Sequence, residues 1–190
     1  LLVGRGMFWR PVPRLPPPGA RPEPRHEAVV SVIPARDEAD VLPETLASVL
    51  GQDYAGPFRV ELVDDRSEDG TVAVARAVAE NGAATERLEI IAGEPLPSGW
   101  SGKVWAMHQG VQAAGSGSQG GAPEFLWFTD ADIAHAPWVL RELVETAEEQ
   151  DLDLVSTMAT LHVRSAWDRL LVPAFVYFFA KLYPFRFVGD

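Results

Sequence analysis

The sequence of 190 residues contains no cysteine, and this absence excludes several kinds of chemistry together. Without thiols the chain has no disulfide framework, no cysteine nucleophile and no zinc site built from thiolates. A chain without cysteine also fits a reducing compartment. The four histidines show neither His-x-Glu nor His-Glu-x-x-His spacing, so we expect no histidine-based metal site either.

Positive charge is scarce in the middle of the chain, where residues 26–160 carry a net charge of −17. The two ends differ from this acidic body, since residues 1–25 carry a net +4 and residues 161–190 a net +2. An acidic body offers no basic stripe to bind phosphates, so we expect no nucleic-acid partner. The basic ends instead predict contact with an anionic membrane surface.

Three glycine-rich signatures are also missing. No G-x-G-x-x-G follows the first predicted strand, which excludes a Rossmann dinucleotide site of the usual kind. Residues 97–103 approach a P-loop, but Pro97 stands where glycine is required and Val104 where serine or threonine is required. Gly99-Trp-Ser-Gly102 is one residue shorter than the nucleophile elbow of serine hydrolases. These near matches carry no chemistry.

The residues that are present alternate between strand and helix patterns. Apolar β-rich runs predict strands at 28–33, 59–63, 88–92, 125–128 and 153–160. Amphipathic or alanine-rich runs predict helices at 39–50, 71–81, 102–114 and 137–149. This alternation predicts one α/β domain over residues 26–160 with a mostly parallel central sheet.

The two ends predict a relation to a membrane. Residues 1–25 are rich in arginine and proline and read as an extended linker. Leu1-Leu-Val3 followed by arginines predicts the end of a truncated membrane anchor, with the body on the cytoplasmic side; an ordinary disordered tail is the alternative. Within residues 161–190, the apolar run 170–180 is too short to span a bilayer and predicts an interfacial or re-entrant segment. A buried core helix or a subunit contact is the alternative for that run.

The most informative motif is Thr129-Asp-Ala-Asp132, directly after the apolar run 125–128. Carboxylates at i and i+2 beyond the end of a strand can bind one divalent cation, and Mg²⁺ or Mn²⁺ prefers such oxygen ligands. The alternative is a pair of turn acids. The next helix is predicted to start at Pro137, so both Asp130 and Asp132 lie too far upstream to cap it.

Polar clusters follow three of the predicted strands, at residues 34–38, 64–71 and 129–132. In an open parallel sheet, ligands bind outside the carboxyl ends of the strands, so these clusters predict one binding site. Lys103 is the only lysine between residues 26 and 160 and follows a glycine-rich stretch at a helix start, where it would suit a phosphate. Structural alternatives stay open for single residues: a solvated surface lysine for Lys103, a turn acid for Asp65, and complementation of a helix dipole for Glu38.

Four motifs in order resemble those of family 2 glycosyltransferases with the GT-A fold. They are Ser-Val-Ile-Pro-Ala-Arg-Asp-Glu, Val-Asp-Asp-Arg-Ser-Glu-Asp-Gly-Thr, Gly-Lys-Val-Trp-Ala-Met-His-Gln-Gly and Thr-Asp-Ala-Asp. The resemblance covers residues 28–160, and four ordered motifs are far more specific than any one of them. The stretch Trp100–Trp105 and the segment Pro173–Arg186 resemble, within that family, the hopanoid-biosynthesis-associated branch of bacterial membrane glycosyltransferases.

The resemblance implies a Rossmann-like domain that transfers sugar from a nucleotide-diphosphate sugar, with inversion, to a lipid acceptor related to hopanoids. A divalent metal, Mn²⁺ or Mg²⁺, is the implied cofactor. By matching motif positions, Pro34, Ala35 and Glu38 would line the nucleoside pocket and Asp65 would hold the base or ribose. Lys103 would approach the base or diphosphate. Asp130 would contribute to the nucleotide-sugar site, and Asp130 with Asp132 would hold the nucleotide-bound metal.

The same family places its catalytic base, an Asp or Glu, on a later segment, often near a Gln/Arg-rich motif. Neither motif is found before Asp190, so we expect the base beyond Asp190 and a truncated C-terminal part. Two other functions stay open from the residues: a domain that binds a nucleotide sugar without transferring it, and a sugar-phosphate nucleotidyltransferase. The missing glycine-rich loop after the first strand argues against the second.

Overall fold

The computed structural model describes residues 27–116, 122–161, 163 and 165–183. The described residues up to Val155 belong to one compact unit, and those from Ser156 onward belong to a second unit. The predicted linker and membrane anchor in residues 1–25 lie outside the described residues.

The first unit contains a parallel sheet of four strands in the order β3-β2-β1-β4. β1 lies in the interior of the sheet, with β2 and β3 on one side and β4 on the other. The strand order therefore reverses at β1, which creates a topological switch point beside it, where ligands bind in open α/β sheets. The strands are β1 Val29–Ala35, β2 Phe58–Asp64, β3 Leu88–Ala92 and β4 Phe125–Phe128.

Helices connect the parallel strands and cover both faces of the sheet. On one face, Ile33 of β1 joins a buried cluster with Leu42 and Leu46, and on the other, Val30 and Val32 pack with a buried alanine of the third helix. Because both faces of β1 are covered, its sequence is almost continuously apolar. The helices are α1 Leu42–Leu50, α2 Thr71–Asn81, α3 Gly102–Ser116 and α4 Val139–Glu149, with a short 3₁₀ helix at Thr85–Arg87.

Helix α3 packs very closely on the sheet at Gly110. A Cβ atom at this position would lie 2.4 Å from Val32 Cγ1 and 3.2 Å from Val63 Cγ2, well inside van der Waals contact. Only a residue without a side chain fits between the helix and strands β1 and β2. This approach brings the N-terminal end of α3, with Gly102 and Lys103, to the carboxyl edge of the sheet.

The α/β fold with a parallel sheet is confirmed, but the predicted strand at 153–160 is wrong. The structure describes all of these residues and assigns them no strand. Leu154 is 77% exposed and Met158 is 58% exposed, so the apolar side chains that suggested a strand have no buried face to occupy. Apolar alternation predicts a strand only where a neighbouring strand and a core are available.

Two predicted helix starts are also wrong by two or three residues. Helix α1 begins at Leu42 rather than at residue 39, because residues 38–41 form turns that link it to β1. Helix α4 begins at Val139 rather than at Pro137, whose carbonyl accepts a hydrogen bond of 2.7 Å from the Asp53 N–H. Pro137 thus fixes the approach to the helix instead of opening it.

The second unit contains α5, Ala166–Leu182, which includes the apolar run 170–180. Ser165 caps it, since the Ser165 hydroxyl accepts from the Asp168 N–H and the Asp168 carboxylate accepts from the Ser165 N–H. Asp168 therefore has a capping role. Among the described helices, none combines the length and apolar character that crossing a bilayer requires. Large apolar side chains are exposed along α5: Trp167, Leu170, Leu171, Phe175, Val176, Tyr177, Phe178 and Leu182.

Candidate functional site

A cleft of about 360 Å³ opens at the carboxyl edge of the sheet, beside the switch point. It is lined by residues from the ends of β1, β2 and β4 and from the start of α3. Every site residue predicted from the sequence lies on its wall, together with four that were not predicted. The predicted ones are Pro34, Ala35, Glu38, Asp65, Lys103, Asp130 and Asp132, and the additional ones are Arg36, Gly102, Ala106 and Ala131.

The loops that follow β1 and β2 are joined to each other by reciprocal hydrogen bonds. The Asp37 N–H donates to Ser67 Oγ at 2.9 Å, and the Glu68 N–H donates to Asp37 Oδ1 at 2.8 Å. Both loops turn tightly, with φ of 55° at Asp37 and 58° at Arg66. Short polar side chains tolerate this left-handed conformation better than most, which suits aspartate at position 37. Asp37 and Ser67 therefore serve as scaffold for the cleft.

The backbone at Glu38 is held from the start of α2. The Glu38 N–H donates to Thr71 Oγ1 and the Ala39 N–H donates to Asp69 Oδ2, each at 2.9 Å. The Thr71 hydroxyl, followed by the Ala39 amide, stabilises the charged form of Asp69 and lowers the pKa of that carboxyl. Asp69 and Thr71 of the Asp-Gly-Thr motif thus organise the loop that presents Glu38 to the cleft.

Asp65 lies beside two arginines and the positive end of a helix. Its N–H donates to the Ala35 carbonyl at 2.8 Å, which anchors it at the end of β1. Arg36 Nη1 lies 3.6 Å from Asp65 Oδ2, and Arg66 Nε lies 3.7 Å from Asp65 Oδ1. A Cβ atom at Gly102 would lie 3.1 Å from Asp65 Oδ2, so glycine lets the positive end of α3 approach the carboxylate.

The acidic pair after β4 faces the ammonium of α3 across the cleft. Lys103 Nζ lies 2.5 Å from Asp130 Oδ1, while Asp132 is exposed. Partial burial, and then the negative charges of Asp132, Asp69 and Asp130, raise the pKa of Glu38. The cleft therefore carries an excess of negative charge that Lys103 offsets only in part.

An aromatic cluster secures the loop that leads into α3 and so to Lys103. The rings of Trp100, Trp105 and His108 lie 5.1–5.4 Å apart by their centroids. Trp105 Nε1–H donates to the Glu94 carbonyl at 3.2 Å, and Gln109 Oε1 accepts from the Glu94 N–H at 2.7 Å. The loop between β3 and α3 is thus attached to the outer face of α3.

The turn that carries the acidic pair is supported by a half-buried histidine. His135 Nε2 lies 2.8 Å from Thr129 Oγ1, and its ring packs edge-on against Trp127 with centroids 4.8 Å apart. Burial lowers the pKa of His135 and so favours a neutral imidazole. Sequence reasoning missed this residue, because a lone histidine seven positions after a strand carries no motif.

Sequence reasoning also missed Arg36, which lies within a recognised motif, and the polar face of α1. Within the described residues, no group of three or more acidic or histidine side chains is arranged to hold a metal. Of the four acids of the cleft, Asp130 and Asp132 lie together on one turn, whereas Glu38 and Asp65 come from the ends of other strands. Any cation bound there would take its other ligands from elsewhere.

A parallel α/β sheet with acids directly after the strand beyond the switch point is typical of a GT-A, Rossmann-like domain. The model of the family described as glycosyl transferase family 2 matches residues 31–183. Because this match covers most of the chain, the protein belongs to glycosyl transferase family 2.

Solved structures share this fold. The mannosyltransferase PcManGT from Pyrobaculum calidifontis, in complex with GDP-Man and Mn²⁺, is 24% identical with a TM-score of 0.51, over 65% of this chain and 33% of that chain. TarS from S. aureus is 20% identical with a TM-score of 0.50, over 65% of this chain and 20% of that chain. The protein therefore spans about a third and about a fifth of these two chains. A comparison with curated proteins gives no significant match.

Proposed function

We propose that this chain is the donor-binding domain of a glycosyltransferase that transfers sugar from a nucleotide-diphosphate sugar to an acceptor with inversion. The observation that carries the proposal is the gathering of Glu38, Asp65, Lys103, Asp130 and Asp132 in one cleft at the switch point of the sheet. Membership of glycosyl transferase family 2 favours sugar transfer over the nucleotidyltransferase alternative.

We propose further that the donor binds with Mn²⁺ or Mg²⁺ held by Asp130 and Asp132. The residues fit such an ion, because both offer hard oxygen ligands and the Lys103 ammonium already stands as a positive charge 2.5 Å from Asp130. Two carboxylates from the protein, completed by phosphate oxygens and water, form a common magnesium arrangement. When bound, the ion would stabilise the negative charge of the departing nucleoside diphosphate.

The other cleft residues would bind different parts of the donor. Asp65, held beside two arginines and the start of α3, would accept hydrogen bonds from the base or ribose. Pro34 and Ala35 supply the floor of the nucleoside pocket, and Lys103 would bind the diphosphate or the base. The general base that deprotonates the acceptor is not assigned to any described residue.

The ion pair between Lys103 and Asp130 has a consequence for the order of binding. In the free protein the ammonium neutralises the carboxylate that the metal would use. A diphosphate would draw Lys103 away from Asp130 and release that carboxylate for the cation. We therefore propose that metal and nucleotide bind together, and that metal alone binds weakly.

The exposed apolar side chains of α5 support a lipid acceptor at a membrane surface, and the basic ends of the chain support an anionic, cytoplasmic-side surface. The resemblance of Trp100–Trp105 and of residues 173–186 to the hopanoid-associated branch favours a hopanoid-related acceptor. Sedimentation with vesicles that contain anionic lipid tests this proposal. The double variant Leu171→Asp/Phe178→Asp should release the protein from vesicles, whereas Leu154→Asp, an exposed leucine outside α5, should not. Equal sedimentation of both variants would refute the membrane role of α5.

The donor proposal is tested by thermal unfolding of the protein with UDP-, GDP- and TDP-sugars in the presence of Mn²⁺. A ligand at about one hundred times its Kd stabilises the folded state by about 2.7 kcal/mol, which a melting curve resolves easily. Absence of any stabilisation across the panel would refute nucleotide-sugar binding. Release of nucleoside diphosphate on addition of a lipid extract would separate a transferase from a domain that only binds the donor.

A further inference from the structure

The turn between β4 and α4 carries the acidic pair, and its backbone is held by side chains of α1 and of the segment directly after that helix. We infer that Thr45, Ser48 and Gln52 are positioning residues that hold Asp130 and Asp132 in the geometry needed for a cation. The inference rests on the metal-dependent donor binding proposed above. It assigns a role to two α1 residues, and to Gln52 just after that helix, all of which lie outside the cleft lining.

Thr45 and Ser48 lie in α1, spaced three residues apart on one face, and Gln52 lies two residues after the end of that helix. Thr45 Oγ1 donates to the Ala131 carbonyl at 2.6 Å, and Ser48 Oγ accepts from the His135 N–H at 2.9 Å. Gln52 Nε2 donates to the Ala136 carbonyl and Gln52 Oε1 accepts from the Leu140 N–H, each at 2.9 Å. All four bonds end on the backbone of the turn or of α4, so they fix the path of the chain.

The hydrogen-bonding capacity of each group supports this assignment. A hydroxyl has one hydrogen, and the Ala131 carbonyl lies closer to Thr45 Oγ1 than the Val41 carbonyl, which is 3.0 Å away. Ser48 uses its hydrogen on the Thr45 carbonyl at 2.6 Å, which leaves a lone pair for His135. Gln52 shares its two amide hydrogens between the Ser48 and Ala136 carbonyls. Every polar atom of the three side chains is therefore in use.

The Thr45 bond matters most for the acids. Ala131 lies between Asp130 and Asp132, and its carbonyl belongs to the peptide unit that leads into Asp132. Thr45 and Ala131 are buried, whereas Asp132 is exposed. The hydrogen bond therefore orients two solvent-accessible carboxylates from within the core, much as outer partners orient the ligands of metal sites.

Two isosteric substitutions separate positioning from stability. Thr45→Val removes the bond to Ala131, and Thr146→Val is its matched control, because Thr146 Oγ1 donates at 2.6 Å only to the Glu142 carbonyl within α4. Nucleotide affinity is measured with Mn²⁺ and with EDTA, using GDP and UDP separately. Loss of an outer partner typically weakens metal binding by about 10–100-fold, so Thr45→Val should lose about tenfold or more of the Mn²⁺-dependent affinity. Its affinity in EDTA should be unchanged, Thr146→Val should behave as the wild type, and Thr45→Ser should restore most of the loss.

The outcomes distinguish this inference from the proposed function. If wild-type protein binds GDP and UDP equally well in Mn²⁺ and in EDTA, the metal role is wrong and the inference falls with it. If wild-type binding depends on Mn²⁺ but Thr45→Val matches Thr146→Val, the inference is wrong and the proposed function stands. Should Thr45→Val fail to fold, Ser48→Ala repeats the test at a half-buried position. If Ser48→Ala kept the Mn²⁺-dependent nucleotide affinity of the wild type, the inference would be overturned.

Discussion

Substitution of Gly110 by alanine tests whether α3 lies as close to the sheet as the structure indicates. The added methyl would lie 2.4 Å from Val32 Cγ1 and 3.2 Å from Val63 Cγ2. Both valines are fully buried in the two central strands, so neither can move away without disturbing the sheet. Relief must come from an outward shift of α3.

Two opposing effects set the size of the change. Replacing glycine by alanine inside a helix stabilises it by about 0.5–1 kcal/mol, whereas overpacking a well-filled core costs about 1–3 kcal/mol. We expect the clash to dominate, because 2.4 Å is far below any carbon–carbon contact, and we expect a net loss of about 1–2 kcal/mol. For a protein of this size, that loss lowers Tm by about 2–8 °C.

Gly115→Ala is the matched control in the same helix. Nothing lies within 4 Å of a Cβ atom at Gly115, so alanine there should be neutral or should stabilise by up to about 1 kcal/mol. Urea unfolding followed by circular dichroism measures both variants. If Gly110→Ala were as stable as Gly115→Ala, the close packing of α3 on β1 and β2 would be refuted. Reduced nucleotide affinity in Gly110→Ala, and not in the control, would show that the shift also displaces Lys103.

Three further predictions concern the charged groups of the site. Asp132→Asn should sharply reduce nucleotide affinity in Mn²⁺ but not in EDTA, whereas Glu86→Gln, an exposed acid outside the cleft, should change neither; titration calorimetry decides. Lys103→Met should weaken nucleotide binding by about 1.5–3 kcal/mol, yet strengthen binding of Mn²⁺ alone, because Asp130 loses its ammonium partner. Binding of Mn²⁺ without nucleotide can be measured by the electron paramagnetic resonance signal of the free ion. If the variant bound Mn²⁺ no more tightly than the wild type, the proposed competition between Lys103 and the cation for Asp130 would be contradicted. Burial lowers the pKa of His135 from 6.5, so near that pH the unfolded chain binds more protons than the folded one. The free energy of unfolding should therefore fall as pH drops below 6.5. Urea unfolding at several pH values measures this dependence. If a His135→Gln variant showed the same dependence of unfolding free energy on pH, His135 would not be its cause.

The four strands of the sheet could be predicted because each is a short apolar run between turn residues. The run at 153–160 shows the limit of that reasoning, since Leu154 and Met158 have the pattern of a strand but no core to face. A segment with alternating apolar residues forms a strand only if an adjacent strand can pair with it, and the local sequence does not show whether such a strand is present. The starts of α1 and α4 were misplaced for the same reason, because tertiary hydrogen bonds shape the turns that precede them.

The candidate site was predictable to the extent that topology determines it. Parallel strands end on the same edge, so Glu38, Asp65 and Asp130 had to meet once the sheet was recognised. The ion pair of Lys103 with Asp130 was not predictable, since it depends on how closely α3 approaches the strands at Gly110. The support from α1 was equally hidden. Thr45 donates a hydrogen bond to a backbone carbonyl 86 residues away in sequence. Because every residue has such a carbonyl, the type of the partner residue gives no sign of the bond.

The pairing of β1 with β4 has a consequence for folding kinetics. Val29 pairs with Phe58 on one side and with Phe125 on the other, so the second contact closes a far longer loop than the first. Longer loops cost more entropy to close and delay the contacts that depend on them. The half of the cleft formed by residues 34–38 and Asp65 should therefore assemble before the half that carries Asp130 and Asp132. During refolding, protection of the β2 amides should precede protection of the β4 amides.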